Sequence, residues 1–287
     1  VATTSRPTGS FTRRARGFLG RHVAGPRLRR ARKELAETRA QLKKARKKLT
    51  STEAELRDAR LGADIRRLDD AVEATITGVR ADNLTFLRPA ALRDLAAAML
   101  DIERNEIPGL VVETGTALGG SAIVIAAAKD ASRPMKVYDV FDMIPEPGEN
   151  DGEDVHERYK TIAAGEAKGR AGETYYGYRD NLYEEVTESF RRRGVPLEAN
   201  HVELVKGLFQ DTIDLDEPVS LAHLDGDWYD STMVCLERIA PLVVPGGRIV
   251  LDDYYAWSGC RRAVDDYFRD RDGWRFEQHS RLHVVRA

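Results

Sequence analysis

The chain has 287 residues, 42% of them hydrophobic, 7% aromatic and 32% charged, with a net charge of −2. That length can bury one sizeable core and carry an appendage. No run approaches the roughly 18 uncharged apolar residues of a membrane span and the start has no apolar signal-peptide core, so the expectation is a cytoplasmic protein with no transmembrane span.

Charge is divided along the chain. Residues 1 to 48 hold 16 Lys and Arg against only Glu34 and Glu37, a segment charge of +14 that leaves −16 on the remainder. Such a basic arm can meet nucleic acid, anionic lipid or an acidic partner. Only Phe11 and Phe18 interleave its charges, and no nucleic-acid module is recognisable, so specific nucleic-acid binding is not expected; peripheral membrane contact of the basic tail stays open. Residues 1–26, rich in Gly, Pro, Ser, Thr and Arg, read as a flexible tail.

Residues 27–61 read as a coiled-coil helix. Leu28, Leu35, Leu42, Leu49 and Leu56 recur every seven residues, with Ala31, Thr38, Ala45, Thr52 and Ala59 three residues after each. In a parallel, in-register homodimer, Glu34, Lys48 and Glu55 would face Arg39, Glu53 and Arg60 of the other chain, opposite in sign in every pair. The small residues of the second row weaken this seam, and an amphipathic helix lying on another surface is the competing reading. Gly62 interrupts the heptads. Residues 62–108 form a helical lead-in: Leu61, Ile65, Leu68, Val72, Ile76 and Val79 make a second stripe that suits packing on a globular domain, and Pro89 opens a helix to about residue 104.

From residue 109 to 287 strands and helices alternate. Strands are expected at 110–113, 135–141, 201–206, 220–225 and 248–252; helices at 121–129, 181–193, 229–242 and 259–269, the third closed by Pro245-Gly246-Gly247; and a hairpin at 274–278 and 282–285. This order predicts an α/β, doubly wound Rossmann-like sheet, mainly parallel with an antiparallel terminal hairpin, whose ligands sit at the carboxyl ends of the strands. Cys235 and Cys260 make neither a metal motif nor a disulfide framework and are expected as buried thiols.

Two acidic clusters end apolar strands about 25 residues apart, Asp225-Gly226-Asp227 and Asp252-Asp253. One βαβ unit joins them, so both belong at the same sheet edge, where four carboxylates converge. That charge calls for a cation, and oxygen-only donors select a hard ion such as Mg²⁺, Mn²⁺ or Ca²⁺. The first strand-to-helix turn, Glu113-Thr-Gly115-Thr-Ala-Leu-Gly119-Gly120-Ser121, lets the backbone approach a ligand closely, and its spacing departs from the dinucleotide pattern. Asp139, ending the second strand, is placed to accept from ribose hydroxyls.

These residues resemble the macrocin O-methyltransferase (TylF-like) family over about 83–285. The motifs are Asn83-Leu-Thr85, Glu113-Thr-Gly115 with Gly119-Gly120-Ser121, Asp139-Val-Phe141 with Ile144-Pro145, Lys206-Gly207-Leu-Phe209-Gln-Asp211-Thr212, Asp225-Gly-Asp227-Trp-Tyr229-Asp-Ser231-Thr232, and Gly246-Gly247 with Asp252-Asp253-Tyr254. The resemblance implies a class I methyltransferase that carries a methyl group from S-adenosylmethionine to a sugar hydroxyl of a natural product or glycan, with Mg²⁺ or Mn²⁺ as the ion. By the same likeness Asp225, Asp252 and Asp253 match the metal ligands and Asp227 the general base. Glu113, Gly115, Thr116, Gly119, Ser121 and Asp139 fall on cofactor-contacting positions.

One departure is the polar, Gly-rich stretch 142–178, longer than the family's usual segment and suited to a lid or acceptor-binding loop. His156 within it is a second candidate for the base or an acceptor contact. His223, inside an apolar strand, reads as a core histidine. Two other classes stay open: an NAD-linked sugar-modifying enzyme on the same sheet, and a catalytically inactive assembly protein that recruits a biosynthetic partner through its coiled coil.

Overall fold

A computed structural model describes residues 14–61 and 68–287, with side chains from 27 to 59 and from 68 onward. Contacts divide the chain into two units, Val1–Glu53 and Ala54–Ala287. Helix α1 (Arg14–Leu61) starts thirteen residues before the expected coiled coil. Its heptad leucines, Leu28, Leu35, Leu42, Leu49 and Leu56, are 50 to 59% exposed. Residues 1–13 of the expected tail, Gly62 and Ile65 lie outside the described residues. Among the described residues no helix is long and apolar enough to cross a membrane.

In the second unit the periodic stripe becomes core. Asp69 accepts from the Val72 amide at 2.8 Å and caps α2 (Asp70–Ala81), whose Val72, Ile76 and Val79 are buried. Full burial of each such side chain is worth about 1.5–3 kcal/mol. Pro89 opens α3 (Pro89–Arg104) as expected. The alternation follows with β1 (Leu110–Thr114), α4 (Gly120–Ala128), β2 (Met135–Asp139), α5 (Glu153–Ala163), α6 (Leu182–Arg192), β3 (Val202–Lys206), the single turn α7 (Phe209–Thr212), β4 (Val219–Leu224), α8 (Tyr229–Ile239), β5 (Val243–Leu251), α9 (Ser258–Phe268), β6 (Trp274–Gln278) and β7 (Leu282–Arg286).

The seven strands form one sheet in the order β3-β2-β1-β4-β5-β7-β6. All pairings are parallel except β5 with β7 and β7 with β6. One core lies between the sheet and α2, α3, α4 and α6, the other under α8 and α9. Cys235 and Cys260 are buried free thiols in the second.

Two expectations need correction. The helix expected at 229–242 is α8 with a 3-10 turn over Ala240–Leu242, but Pro245-Gly246-Gly247 does not close it; it lies inside β5, where the pairing shifts from Val219↔Val243 to Leu221↔Arg248 and Gly246 takes φ 80°. Glycine at positive φ and a proline without an amide donor are what a bulge tolerates, so the turn signal marks an irregular strand. The stretch 142–178 is not an open loop: it contains α5 and a small core of Ile162, Ala167 and Tyr175 with Ile144, Tyr176 and Tyr178 around it.

Candidate active site

Four carboxylates meet where β4 and β5 end. Asp225 continues β4 through its amide to the Thr114 carbonyl at 2.9 Å, and Asp252 continues β5 through its amide to the Leu224 carbonyl at 3.0 Å. Asp227 stands at φ +56°, a left-handed conformation that aspartate tolerates better than most residues. Its amide donates to Asp253 Oδ2 at 3.1 Å, which locks the turn to the neighbouring strand end. Carboxylate oxygens of Asp225, Asp227 and Asp253 lie within 4.8 Å of one another. Asp227 does not cap α8: the Tyr229 amide is taken by Asp151 Oδ1 at 2.9 Å.

Asp252 faces different partners. Arg281 Nε sits 2.6 Å and His223 Nε2 3.6 Å from its Oδ1, so Oδ2 keeps its lone pairs. His223 is fully buried and its Nδ1 meets Glu113 Oε1 at 2.9 Å. Burial alone would lower this imidazole, but the carboxylates of Asp252 and Glu113 on either side outweigh it and raise it to about 9. Burial would raise Asp252, yet Arg281 and His223 hold it well below the usual carboxylate range. The others move the opposite way. Burial, then mutual repulsion, pushes Asp225 and Asp227 well up, and Asp253 rises to about 6 through burial and the charge of Asp252. Three crowded acids that resist ionising together form an oxygen donor set fitted to a hard divalent cation.

The glycine turn lies alongside. Gly115 and Gly119 take φ +82° and +86°, and a Cβ on Gly115 would overlap the Asp225 carbonyl. Thr116 and Ser121 line the pocket. Asp139 Oδ2 accepts from the Thr116 and Ala117 amides at 2.8 and 2.9 Å, and Oδ1 from the Phe141 amide at 2.7 Å. Of the roughly four acceptor positions of a carboxylate, two are thus spent on holding the turn and a third on the chain leaving β2. Glu113 is fully buried, bonded to His223 and, at 3.3 Å, to the Thr116 hydroxyl. Gly115, Gly119, Glu113 and Asp139 support the pocket wall from behind.

The cavity is also lined by Thr85, Arg158, Tyr175, Tyr176 and Trp257. His156 lies on α5 but outside this lining, whereas Arg158 of the same helix points in. Tyr254 instead donates to Asp265 at 2.8 Å, and Tyr255 packs under Arg57 at 4.0 Å. A wider hollow at the opposite sheet edge is open, and its Arg133 is already paired with Glu103 at 2.8 Å.

Sequence reasoning placed the four acids but missed Arg281 and the Glu113–His223–Asp252 chain. Signals existed. In the sheet register Glu113 pairs with His223, two ionisable residues side by side in otherwise apolar strands. Leu251 pairs with Leu282 in the antiparallel β5–β7 ladder, which sets the preceding residue, Arg281, beside Asp252.

The macrocin-O-methyltransferase (TylF) family model matches residues 31–275. The 8-demethyl-8-(2,3-dimethoxy-alpha-L-rhamnosyl)-tetracenomycin-C 4'-O-methyltransferase of Streptomyces olivaceus is 34% identical over 204 residues, 69% of this chain and 68% of that protein. Mycinamicin III 3''-O-methyltransferase of Micromonospora griseorubida is 30% identical over 196 residues, 66% of this chain and 71% of that protein. Among solved structures, the O-methyltransferase NovP superposes with a TM-score of 0.58 at 24% identity, covering 83% of this chain and 98% of its own, a likeness of fold. The chain therefore belongs to the macrocin O-methyltransferase family and is an S-adenosylmethionine-dependent O-methyltransferase.

Proposed function

We propose that the chain methylates a sugar hydroxyl of a natural-product or glycan acceptor with the help of Mg²⁺ or Mn²⁺. The carrying observation is the group of crowded carboxylates facing the pocket, beside a glycine turn held open by Asp139. The likeness to enzymes that methylate glycosylated antibiotics supports the acceptor class.

S-adenosylmethionine would lie along the turn at Thr116 and Ser121 and supply the methyl group. A divalent ion held by Asp225, Asp253 and the free Oδ2 of Asp252 would add positive charge beside the acceptor hydroxyl and lower its pKa. Asp227, its carboxyl raised by burial and the neighbouring acids, would accept the proton of the acceptor hydroxyl as the methyl group passes from sulfur to oxygen. The products are the methyl ether, S-adenosylhomocysteine and a protonated Asp227. Arg281 and His223, against the cost of burial, hold the Asp252 carboxyl well below the usual carboxylate range, which favours its ionised form. Tyr175, Tyr176 and Trp257 offer flat apolar faces on which a sugar ring can lie.

The grouping of Asp225, Asp227 and Asp253 favours a second arrangement in which Asp227 is itself a ligand. Calorimetry with Mn²⁺ and turnover with a rhamnosylated acceptor, each on Asp227→Asn and Asp253→Asn, separate the two. A base-only role predicts that Asp227→Asn keeps Mn²⁺ affinity and loses turnover; parallel loss of both makes Asp227 a ligand. Full turnover in Asp253→Asn with Mn²⁺ chelated would end the metal reading.

Exposed heptad leucines and the opposite-sign positions Glu34 with Arg39 and Lys48 with Glu53 support a parallel homodimer through α1. Sedimentation of the full chain tests it: a monomer at tens of micromolar contradicts the dimer.

A further inference from the structure

A second cluster of side chains of metal-ligating type lies outside the candidate active site. Asp94 of α3 is 5% exposed, and two histidines converge on its carboxylate. His279 Nδ1 lies 3.1 Å from Oδ1 and His283 Nε2 lies 3.3 Å from Oδ2. His279 sits in the turn between β6 and β7, and His283 in β7. Their rings stack with centroids 4.3 Å apart and planes 14° from parallel, so both nitrogen-bearing edges face the same carboxylate.

We propose that Asp94, His279 and His283 form a binding site for a borderline divalent cation such as Zn²⁺. One reason is His283 itself. It is 1% exposed, and neither ring nitrogen makes a hydrogen bond, because its approach to Asp94 has ion-pair distance without donor direction. An imidazole buried without partners costs free energy, which a coordinate bond at Nε2 would offset.

Distance is another reason. With Zn–N and Zn–O bonds near 2.0–2.2 Å, tetrahedral ligands stand roughly 3.4 Å apart, and each imidazole already lies at about that distance from one oxygen of the carboxylate, His279 at 3.1 Å from Oδ1 and His283 at 3.3 Å from Oδ2. All three ligand atoms lie within 4.8 Å of one another, so small ring rotations bring them onto one centre.

The surroundings fit as well. Glu277 Oε2 stands 3.4 Å from His279 Nε2, the carboxylate behind a ligating imidazole that orients such ligands. The Ser280 amide donates to Asp94 Oδ2 at 3.1 Å and fixes that carboxylate. His279 is 29% exposed at its side chain, which leaves an entry path and a place for water as fourth ligand. Two imidazoles and one carboxylate select Zn²⁺ or Co²⁺ over Mg²⁺, unlike the oxygen-only active site. The ordinary alternative is a plain His–Asp–His ion-pair cluster, which leaves both His283 nitrogens unserved. A bound ion would pin the turn carrying Arg281 to α3, making the site structural support for Asp252.

The test uses the untagged full chain with Asp225→Asn and Asp253→Asn introduced, so that binding at the pocket is removed. Co²⁺ titration followed by visible absorption should give one equivalent with ligand-field bands in the visible region, displaced by Zn²⁺ and indifferent to Mg²⁺. His283→Gln in that background should weaken Co²⁺ binding by roughly 100-fold or more, and Glu277→Gln by roughly 10-fold. Absence of such binding, or equal binding in His283→Gln, overturns the proposal. Zinc-edge absorption spectroscopy of the Zn²⁺-loaded wild-type chain gives a readout independent of variant folding. Two imidazole shells are expected, and an oxygen-only shell refutes the site.

Discussion

The turn between β6 and β7 separates two clusters of ionisable groups with opposite balances. On the pocket side, Asp225, Asp227, Asp252 and Asp253 share the cavity with Arg158 and Arg281, and Asp252 alone is paired with Arg281 and His223. Three acids remain uncompensated and are held up in pKa. On the other side one carboxylate faces two imidazoles, and despite the cost of burial their closeness holds Asp94 well below the usual carboxylate range. An excess of like charge aimed into a cavity is destabilising for the fold and belongs to binding or chemistry. A charge balanced by its neighbours, on elements distant in sequence, belongs to architecture.

The contrast can be broken most severely at Asp227. Asp227→Asn should lower turnover by about 10²–10⁴-fold, while S-adenosylmethionine affinity from calorimetry stays within threefold of wild type; unchanged turnover would strip the excess charge of its chemical meaning. Next in size is Arg281→Met, which leaves Asp252 buried with His223 as its remaining partner. Losing one member of a buried pair costs about 3–5 kcal/mol, so a large fall in urea midpoint is expected, and a change below 1 kcal/mol would contradict the pairing.

Glu113→Gln weakens the inner link of the chain, at about 1–3 kcal/mol. Its pH signature is more specific. His223 is raised from 6.5 to about 9 in the folded state, so its contribution is fully present below 6.5 and lost as pH rises through about 9. Chelator-treated wild type should therefore lose melting temperature across that window, and Glu113→Gln should flatten the slope. The smallest effect lies outside both clusters: Leu35→Glu with Leu42→Glu should dissociate the proposed dimer in sedimentation while leaving turnover of the globular unit within twofold. Loss of turnover would tie the arm to the site.

Legibility from sequence followed the same division. Asp225 and Asp252 each extend an apolar strand, so strand polarity and the right-handed crossover placed them at one edge without further information. The stripe Val72, Ile76, Val79 and the Pro89 start were equally plain because their causes are local. Asp94 was hidden: it sits in an amphipathic helix like many surface acids, and its partners are 185 and 189 residues away. Arg281 needed the strand order, since only an antiparallel β7 brings its turn to the pocket edge. The β5 bulge escaped because Pro-Gly-Gly terminates a helix and kinks a strand with the same residues. The helix in 142–178 was masked by the glycines and prolines around it.

That segment also bears on how such an enzyme changes its substrate over evolutionary time. Its core of Ile162, Ala167 and Tyr175 is its own, and it is fastened to the rest of the unit by side-chain bonds such as the Trp228 indole on the Pro145 carbonyl at 3.0 Å, Asp151 on the Tyr229 amide at 2.9 Å and Asp154 on the Ser258 amide at 3.1 Å. The carboxylates and the glycine turn come from elsewhere in the chain. If acceptor choice resides mainly in this segment, exchanging residues 142–178 for a relative's segment should redirect which sugar is methylated while the transfer chemistry is inherited intact.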